Sequence, residues 1–189
     1  MFTGDAAEAL REISLAVELD PVSQGILKDK GIIYYYLGQY DEAIDMAIKT
    51  MELDPSFVPV HRLLSLAYQG KGMFDKAIEE NEFWGVLTGN EVKTKVALAH
   101  IYATAGKKDE AKKIVDDIAT DYTLSGNDHR GMALIYTALG KKDRAFYWLE
   151  KSYEQHEESL CSLKVDPKFD SLRSDPQFDA ILKKIGLKN

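Results

Sequence analysis

The stretch YYYLGQYDEAIDMAIKTMELDP, residues 34–55, decides the fold. Its apolar and small residues Ala43, Ile44, Ala47, Ile48 and Met51 return at spacings of three and four, the mark of one face of an α-helix. Before them, Leu27, Gly31, Tyr34 and Leu37 keep the same spacing and predict a helix over 24–37. Gly38-Gln39 separates the two patterns as an interhelical turn, with glycine where a left-handed helix cap is needed. Leu53-Asp54-Pro55 closes the second helix, because proline cannot continue it; the same proline is expected to open the next. Leu19-Asp20-Pro21 ends an N-terminal helix, 5–18, in the same way.

The unit repeats. Ala9, Ala43, Ala77, Ala111 and Ala145 recur at one constant 34-residue interval, as do Tyr34, Tyr68, Tyr102 and Tyr136, and Gly4, Gly38, Gly72, Gly106 and Gly140. A fourth column, Gly31, Ser65, Ala99 and Ala133, holds small residues only. Coincident columns at one period in this range mean a helix-hairpin array. The small and alanine columns let the helices of a hairpin approach closely. The tyrosines are expected to bury their rings at the seam to the next repeat, where truncation to alanine costs ~3–5 kcal/mol.

The chain has 189 residues and a formal charge of −7. An acidic chain is a poor sequence-independent binder of nucleic acid, which is held by neutralising phosphates. A lone cysteine, Cys161, excludes an internal disulfide and fits a reducing, cytoplasmic setting. The longest strongly apolar run, GIIYYYLG at 31–38, is far short of a membrane span.

The hairpin unit, clearest in residues 34–55 and in YATAGKKDEAKKIVDDI at 102–118, resembles the tetratricopeptide repeat family. The resemblance covers residues 5–156 and implies an all-α right-handed superhelix whose first helices line a concave side. It divides the chain, taken as a single domain, into a half repeat (5–21), four full repeats (22–55, 56–89, 90–123, 124–157) and a C-terminal extension with a capping helix (158–189). The sequence departs from the pattern in two ways. Leu27, His61, Lys95 and His129 stand where a bulky residue begins each first helix, and the closing proline is replaced by Gly89 and Thr123. The run WLEKSYEQHEESLCSLKVDPKFDSLRSDPQFDAILKKIGL, 148–187, is similar to the tail of such regions in bacterial multidomain signalling proteins. That likeness implies a residue 189 near a natural C-terminus and a residue 1 that is not a natural start. The half repeat opens at the turn glycine Gly4 without a first helix, and is expected to be a piece of something longer or a face that docks on a partner. In the tail, Asp166-Pro167 and Asp175-Pro176 are helix-start signals, and Phe178, Ile181, Leu182 and Ile185 form a short amphipathic capping helix.

Function is expected on the first helices. Four rows share that side: Gly25/Pro59/Lys93/Asn127, Lys28/Arg62/Val96/Arg130, Ile32/Leu66/His100/Leu134 and Tyr35/Gln69/Ala103/Thr137. Lys28, Arg62, Lys93 and Arg130, mixed with Ile32, Tyr35, Leu66, Gln69 and His100, suit an acidic, partly apolar peptide. Some members of the family hold a partner's C-terminal carboxylate with a Lys, Asn and Arg set. Here only Lys28 and Lys93 match that set, while Ile32, Leu63 and Ala97 occupy the amide and guanidinium places. Such a clamp is not expected.

Signals for catalysis, cofactors or metals are absent. His61, His100, His129 and His156 lack metal-ligand spacing, and Cys161 reads as a small, buried or half-buried residue. Asp and Glu in the DEA runs at 41–43 and 109–111 complement helix dipoles. Tyr147 and Trp148 are expected to pack under the tail at Phe169 and Leu172. The expected function is a non-catalytic module binding a protein or peptide on its concave side. The alternative is an oligomerisation or scaffold region, with self-association through the half repeat.

Overall fold

The structure, a computed structural model, describes residues 6–120 and 128–187. Gly4, Thr123 and Asn127, named above, lie outside the described residues, as does the start of the half repeat. Among the described residues every regular element is helical, and no helix is long and apolar enough to cross a membrane.

The chain forms two compact units, residues 5–90 and 91–189. The first holds α1 (Ala6–Leu19), α2 (Gln24–Tyr36), α3 (Tyr40–Leu53), α4 (Pro59–Gly70) and α5 (Phe74–Thr88). α2 pairs with α3 and α4 with α5 as hairpins, α4 packs on both helices of the first hairpin, and α1 covers α2. The second unit holds α6 (Glu91–Thr104), α7 (Lys108–Thr120), α8 (His129–Ala138) and α9 (Lys142–Glu154). Two 3₁₀ turns, Glu158–Ser162 and Pro167–Leu172, and α10 (Pro176–Lys184) follow. Here α6–α7 and α8–α9 are the hairpins, α6 packs on α8, the second 3₁₀ turn lies on α8, and α10 lies on α9.

The columns explain the hairpins. Gly38, Gly72, Gly106 and Gly140 all have φ between +72° and +80°. An L side chain adopts such a backbone only under strain. In each turn the residue after the glycine donates its N–H to the carbonyl of the column tyrosine: Gln39 to Tyr34, Met73 to Tyr68, Lys107 to Tyr102 and Lys141 to Tyr136, all at 2.9 Å. The glycine N–H reaches the next carbonyl, as from Gly38 to Tyr35 at 3.0 Å, so four Schellman caps close the four first helices. The small column faces the alanine column. Ser65 Oγ donates to the Ala77 carbonyl at 2.8 Å, and a Cβ on Gly31 would lie 3.4 Å from the Ala43 carbonyl and 2.5 Å from Leu63. Ala43, Ala77, Ala111 and Ala145 are fully buried.

Three expectations need correction. The column tyrosines are half-buried, not buried. The rings of Tyr34, Tyr68 and Tyr136 border the cores, and cations lie over three of the four column rings, Lys30 over Tyr34 (5.8 Å), Lys76 over Tyr68 (5.3 Å) and Lys107 over Tyr102 (5.7 Å). A phenol with one wet end settles at such a boundary, so its truncation costs less than that of a core ring. Pro55 follows the end of α3 but does not open the next helix: α4 begins at Pro59, whereas α2 begins at Gln24 as the spacing predicts. The Asp54 carboxylate instead accepts the Ser56 hydroxyl (2.7 Å) and N–H (2.9 Å), forming a turn of its own. These bonds hold its carboxyl below the usual aspartate range. Cys161 is exposed, because three residues per 3₁₀ turn send Leu160 and Leu163 inward together and leave Cys161 outside.

The tail completes a core with α8 and α9. Asp166 and Asp175 each cap the turn they open, accepting the N–H of Lys168 (3.1 Å) and Gln177 (3.0 Å). After Asp166, however, the chain makes only a 3₁₀ turn, and the α-helix comes after Asp175. Phe169, Leu172, Phe178, Ile181 and Leu182 cluster with Leu134, Phe146, Leu149, Leu160 and Leu163. Trp148 borders this cluster as expected, while Tyr147 stays half exposed.

Candidate functional site

In the first unit, α2 and α4 bring Lys28, Ile32, Arg62 and Leu66 onto packed first helices, all four partly exposed. Lys28 pairs with its neighbour Asp29 at 2.6 Å, and the Arg62 guanidinium lies 5.6 Å over the Trp84 ring, which α5 supplies. Trp84 was not foreseen. A guanidinium over an aromatic ring gains a cation–π attraction without losing its charge. Tyr35 and Gln69, expected on the same face, are 3% and 7% exposed. Tyr35 packs in a tilted group with Tyr36 (5.3 Å) and Tyr40 (6.0 Å) and belongs to the α2–α4 core.

In the second unit, Lys93 is exposed and His100 is buried in α6. Arg130 is engaged by the tail. Its guanidinium donates to the Asp166 carboxylate and, at 3.3 Å, to the Ser162 hydroxyl, and lies 5.3 Å over Phe169. The side chains of Arg130 and Asp166 are 13% and 6% exposed, so this is a buried ion pair between a first helix and the tail. Arg173 braces the same segment. It donates to the carbonyls of Lys164 and Asp166 and to the Asp170 carboxylate at 2.6 Å.

The histidines at the head of α4 and α8 are structural links. His61 Nδ1 lies 2.7 Å from Glu80 on α5, with Phe83 edge-on at 4.6 Å. His129 Nδ1 lies 2.6 Å from Glu157, whose carboxylate also accepts the backbone N–H groups of His129 (3.0 Å) and Arg130 (3.2 Å) and the Ser152 hydroxyl (2.8 Å). Burial works against the charge on Glu157, but the Ser152, His129 and backbone donors outweigh it and hold the carboxyl below the usual glutamate value. Among the described residues no group of three His, Cys, Asp or Glu side chains is placed to hold a metal ion.

The partners that sequence reasoning missed, Ser162, Asp166 and Phe169, had one usable signal. Arg62 and Arg130 share a column, and DPKFD supplies an acid and an aromatic close together in the tail.

Comparison with known proteins agrees with this architecture. Residues 29–57, most of α2 and all of α3, match the family model described as Tetratricopeptide repeat. Over 79 residues the chain is 29% identical to small glutamine-rich tetratricopeptide repeat-containing protein 2 of Mycosarcoma maydis, a match covering 42% of this chain. The chain spans about a fifth (22%) of that curated relative's length. A tetratricopeptide repeat protein crystal structure from Parabacteroides merdae superposes with a TM-score of 0.66 at 18% identity, covering 87% of this chain and 64% of that one. A crystal structure of MamA gives a TM-score of 0.53 at 21% identity over 84% of this chain and 92% of that one. With glycine-capped helix hairpins recurring at a 34-residue period around the matched segment, this chain carries a tetratricopeptide repeat at residues 29–57 and has the all-α fold of a tetratricopeptide repeat array.

Proposed function

We propose that this chain is a non-catalytic module that binds a protein or peptide partner on its first-helix faces. Tetratricopeptide repeats generally mediate protein–protein interactions, and one observation carries the reading to particular residues. Two cation–aliphatic pairs, Lys28 with Ile32 and Arg62 with Leu66, stand partly exposed on the packed helices α2 and α4. A ligand that joins carboxylates to apolar side chains satisfies both halves of each pair, and the charged half adds charge-assisted hydrogen bonds. Tyr35 and Gln69 contribute packing beneath such a surface rather than contacts on it, and His100 is buried within the second unit. Arg130 is committed to Asp166.

Affinity capture with the native chain and with a Lys28→Glu, Arg62→Glu variant tests the reading, with circular dichroism to confirm equal helix content. A partner captured by the native chain and lost from the variant is the expected result. Equal capture by both overturns it.

A second reading has its own observation. Leu15, Leu19 and Val22, on α1 and just after it, are 48%, 88% and 61% exposed. An apolar strip of this kind suits self-association. Light scattering of the native chain at micromolar concentration separates the two readings, since a strict monomer excludes the second.

A further inference from the structure

α4 and α8 carry the same two residues at the same two places of the repeat: Arg62 and Leu66 on one, Arg130 and Leu134 on the other. On α8 both are covered by the chain's own segment Asp166-Pro167-Lys168-Phe169. The Asp166 carboxylate takes the Arg130 guanidinium, the Phe169 ring lies beneath that guanidinium at 5.3 Å, and Leu134 and Phe169 share one core cluster. The segment is shaped for this. Asp166 accepts the Lys168 N–H, Pro167 presets the backbone, and a 3₁₀ turn brings residues three apart onto one side. Carboxylate and ring therefore meet the helix together, Asp166 at 4% and Phe169 at 0% exposure.

On α4 the same pair stands partly exposed, and α2 repeats it beside α4 with Lys28 and Ile32. Trp84 lies against Arg62 at 5.6 Å and offers a second aromatic surface. We propose that the α4 face binds a turn-forming peptide of the Asp-Pro-x-aromatic type, the chemistry that α8 holds internally. The carboxylate takes the Arg62 guanidinium, the ring packs between Leu66 and the guanidinium face, and Lys28 favours a further acidic residue such as the one at the position of Asp170. The ligand comes from another polypeptide, because the chain's own Asp-Pro-x-Phe segments are built into its cores. Phe169 and Phe178 are sealed in the tail core at 0% and 1% exposure. The third segment, Asp54 to Phe57, forms the turn before α4, with Phe57 packed against the α2–α4 core. The inference rests on the reading of the first-helix faces as binding surfaces and narrows it to a class of ligand.

The probe is the synthetic peptide LKVDPKFDSL, the sequence of residues 163–172, titrated calorimetrically into the full chain. The expected result is saturable binding, weakened roughly tenfold or more by Arg62→Ala and by replacing either the peptide's aspartate before proline with asparagine or its phenylalanine with alanine. Arg62→Lys, which keeps the charge but loses the planar fork, is expected to weaken it by a smaller factor. Lys49→Ala, on α3, leaves it unchanged. Circular dichroism and thermal melting confirm that each variant is folded. No saturable binding, or binding that survives Arg62→Ala as exchange with the chain's own tail would, overturns the inference. Binding that depends on Arg62 but is equally tight without the phenylalanine also overturns it, while leaving the first-helix face as a binding surface. Failure of every peptide beside a captured partner lost on charge reversal separates this inference from the broader reading in the same way.

Discussion

The faces of α4 and α8 start from the same arginine and leucine and end in different states. On α4, Arg62 and Leu66 stay partly exposed, with Trp84 as the aromatic neighbour. On α8, Arg130 and Leu134 lie under a segment whose aspartate arrives from 36 residues further along the chain. The pair of side chains does not decide its own burial. What decides is whether a distant segment of the chain packs over it, as the tail does over α8. The histidines at the head of the same two helices repeat the lesson: His61 finds its carboxylate within its own hairpin, and His129 finds Glu157 beyond the end of α9.

The comparison can be broken most sharply at the aromatic residue of the tail. Phe169 is fully buried. Phe169→Ala is expected to destabilise the unit that holds the tail by ~3–5 kcal/mol. Leu66→Ala, on the partly exposed face of α4, is expected to cost about 1 kcal/mol, because part of its apolar area already meets water. Urea denaturation of both variants checks the pair. Equal losses would mean that the tail adds no packing to α8.

A smaller effect is expected at the ion pair. Arg130→Met removes the guanidinium from the buried Asp166 carboxylate, at a cost of about 3 kcal/mol. Arg62→Met should change stability by less than about 1 kcal/mol, since Arg62 stands partly in water. The double variant Arg130→Met, Asp166→Leu should recover most of the loss, because replacing both members of a buried pair is far cheaper than removing one. Thermal melts of the native protein and the three variants test this, and no recovery in the double variant would assign the loss to packing instead.

Glu157 sharpens the comparison by pH. Its folded-state carboxyl titrates below the ordinary value of 4.5, so its contribution to stability is complete above that value. The contribution falls away as pH drops through the lowered folded value. Glu157→Gln is therefore expected to lose about 1 kcal/mol in neutral solution. The loss shrinks progressively as the solution is acidified below the ordinary glutamate value. Melts of native and variant protein from neutral to acidic solution give the difference, and a constant difference across that range would remove Glu157 from the ionic link.

How much of this was legible differs by residue. Gly38, Gly72, Gly106 and Gly140 announced left-handed caps and have them, since a positive φ is a property of the glycine and its immediate neighbours. Asp175 announced a helix start and caps α10. Tyr35, Gln69 and Arg130 were legible only as members of a face. Their spacing put them beside Lys28 and Arg62, while the α2–α4 core and the tail took Tyr35 and Arg130 out of solvent. Pro55 is a helix-start residue by its type, but the turn that Ser56 forms with Asp54 comes first and α4 waits until Pro59.

By itself the sequence determined the 34-residue hairpin, its caps, its small-residue seams and the equivalence of Arg62 with Arg130, because these rest on backbone preference and on side-chain size at fixed spacing. Tertiary structure alone decided that Arg130 is buried under the tail and Arg62 is left partly exposed. Burial depends on which distant segment packs against a face, and Asp166, Phe169 and Glu157 reach α8 only through the fold.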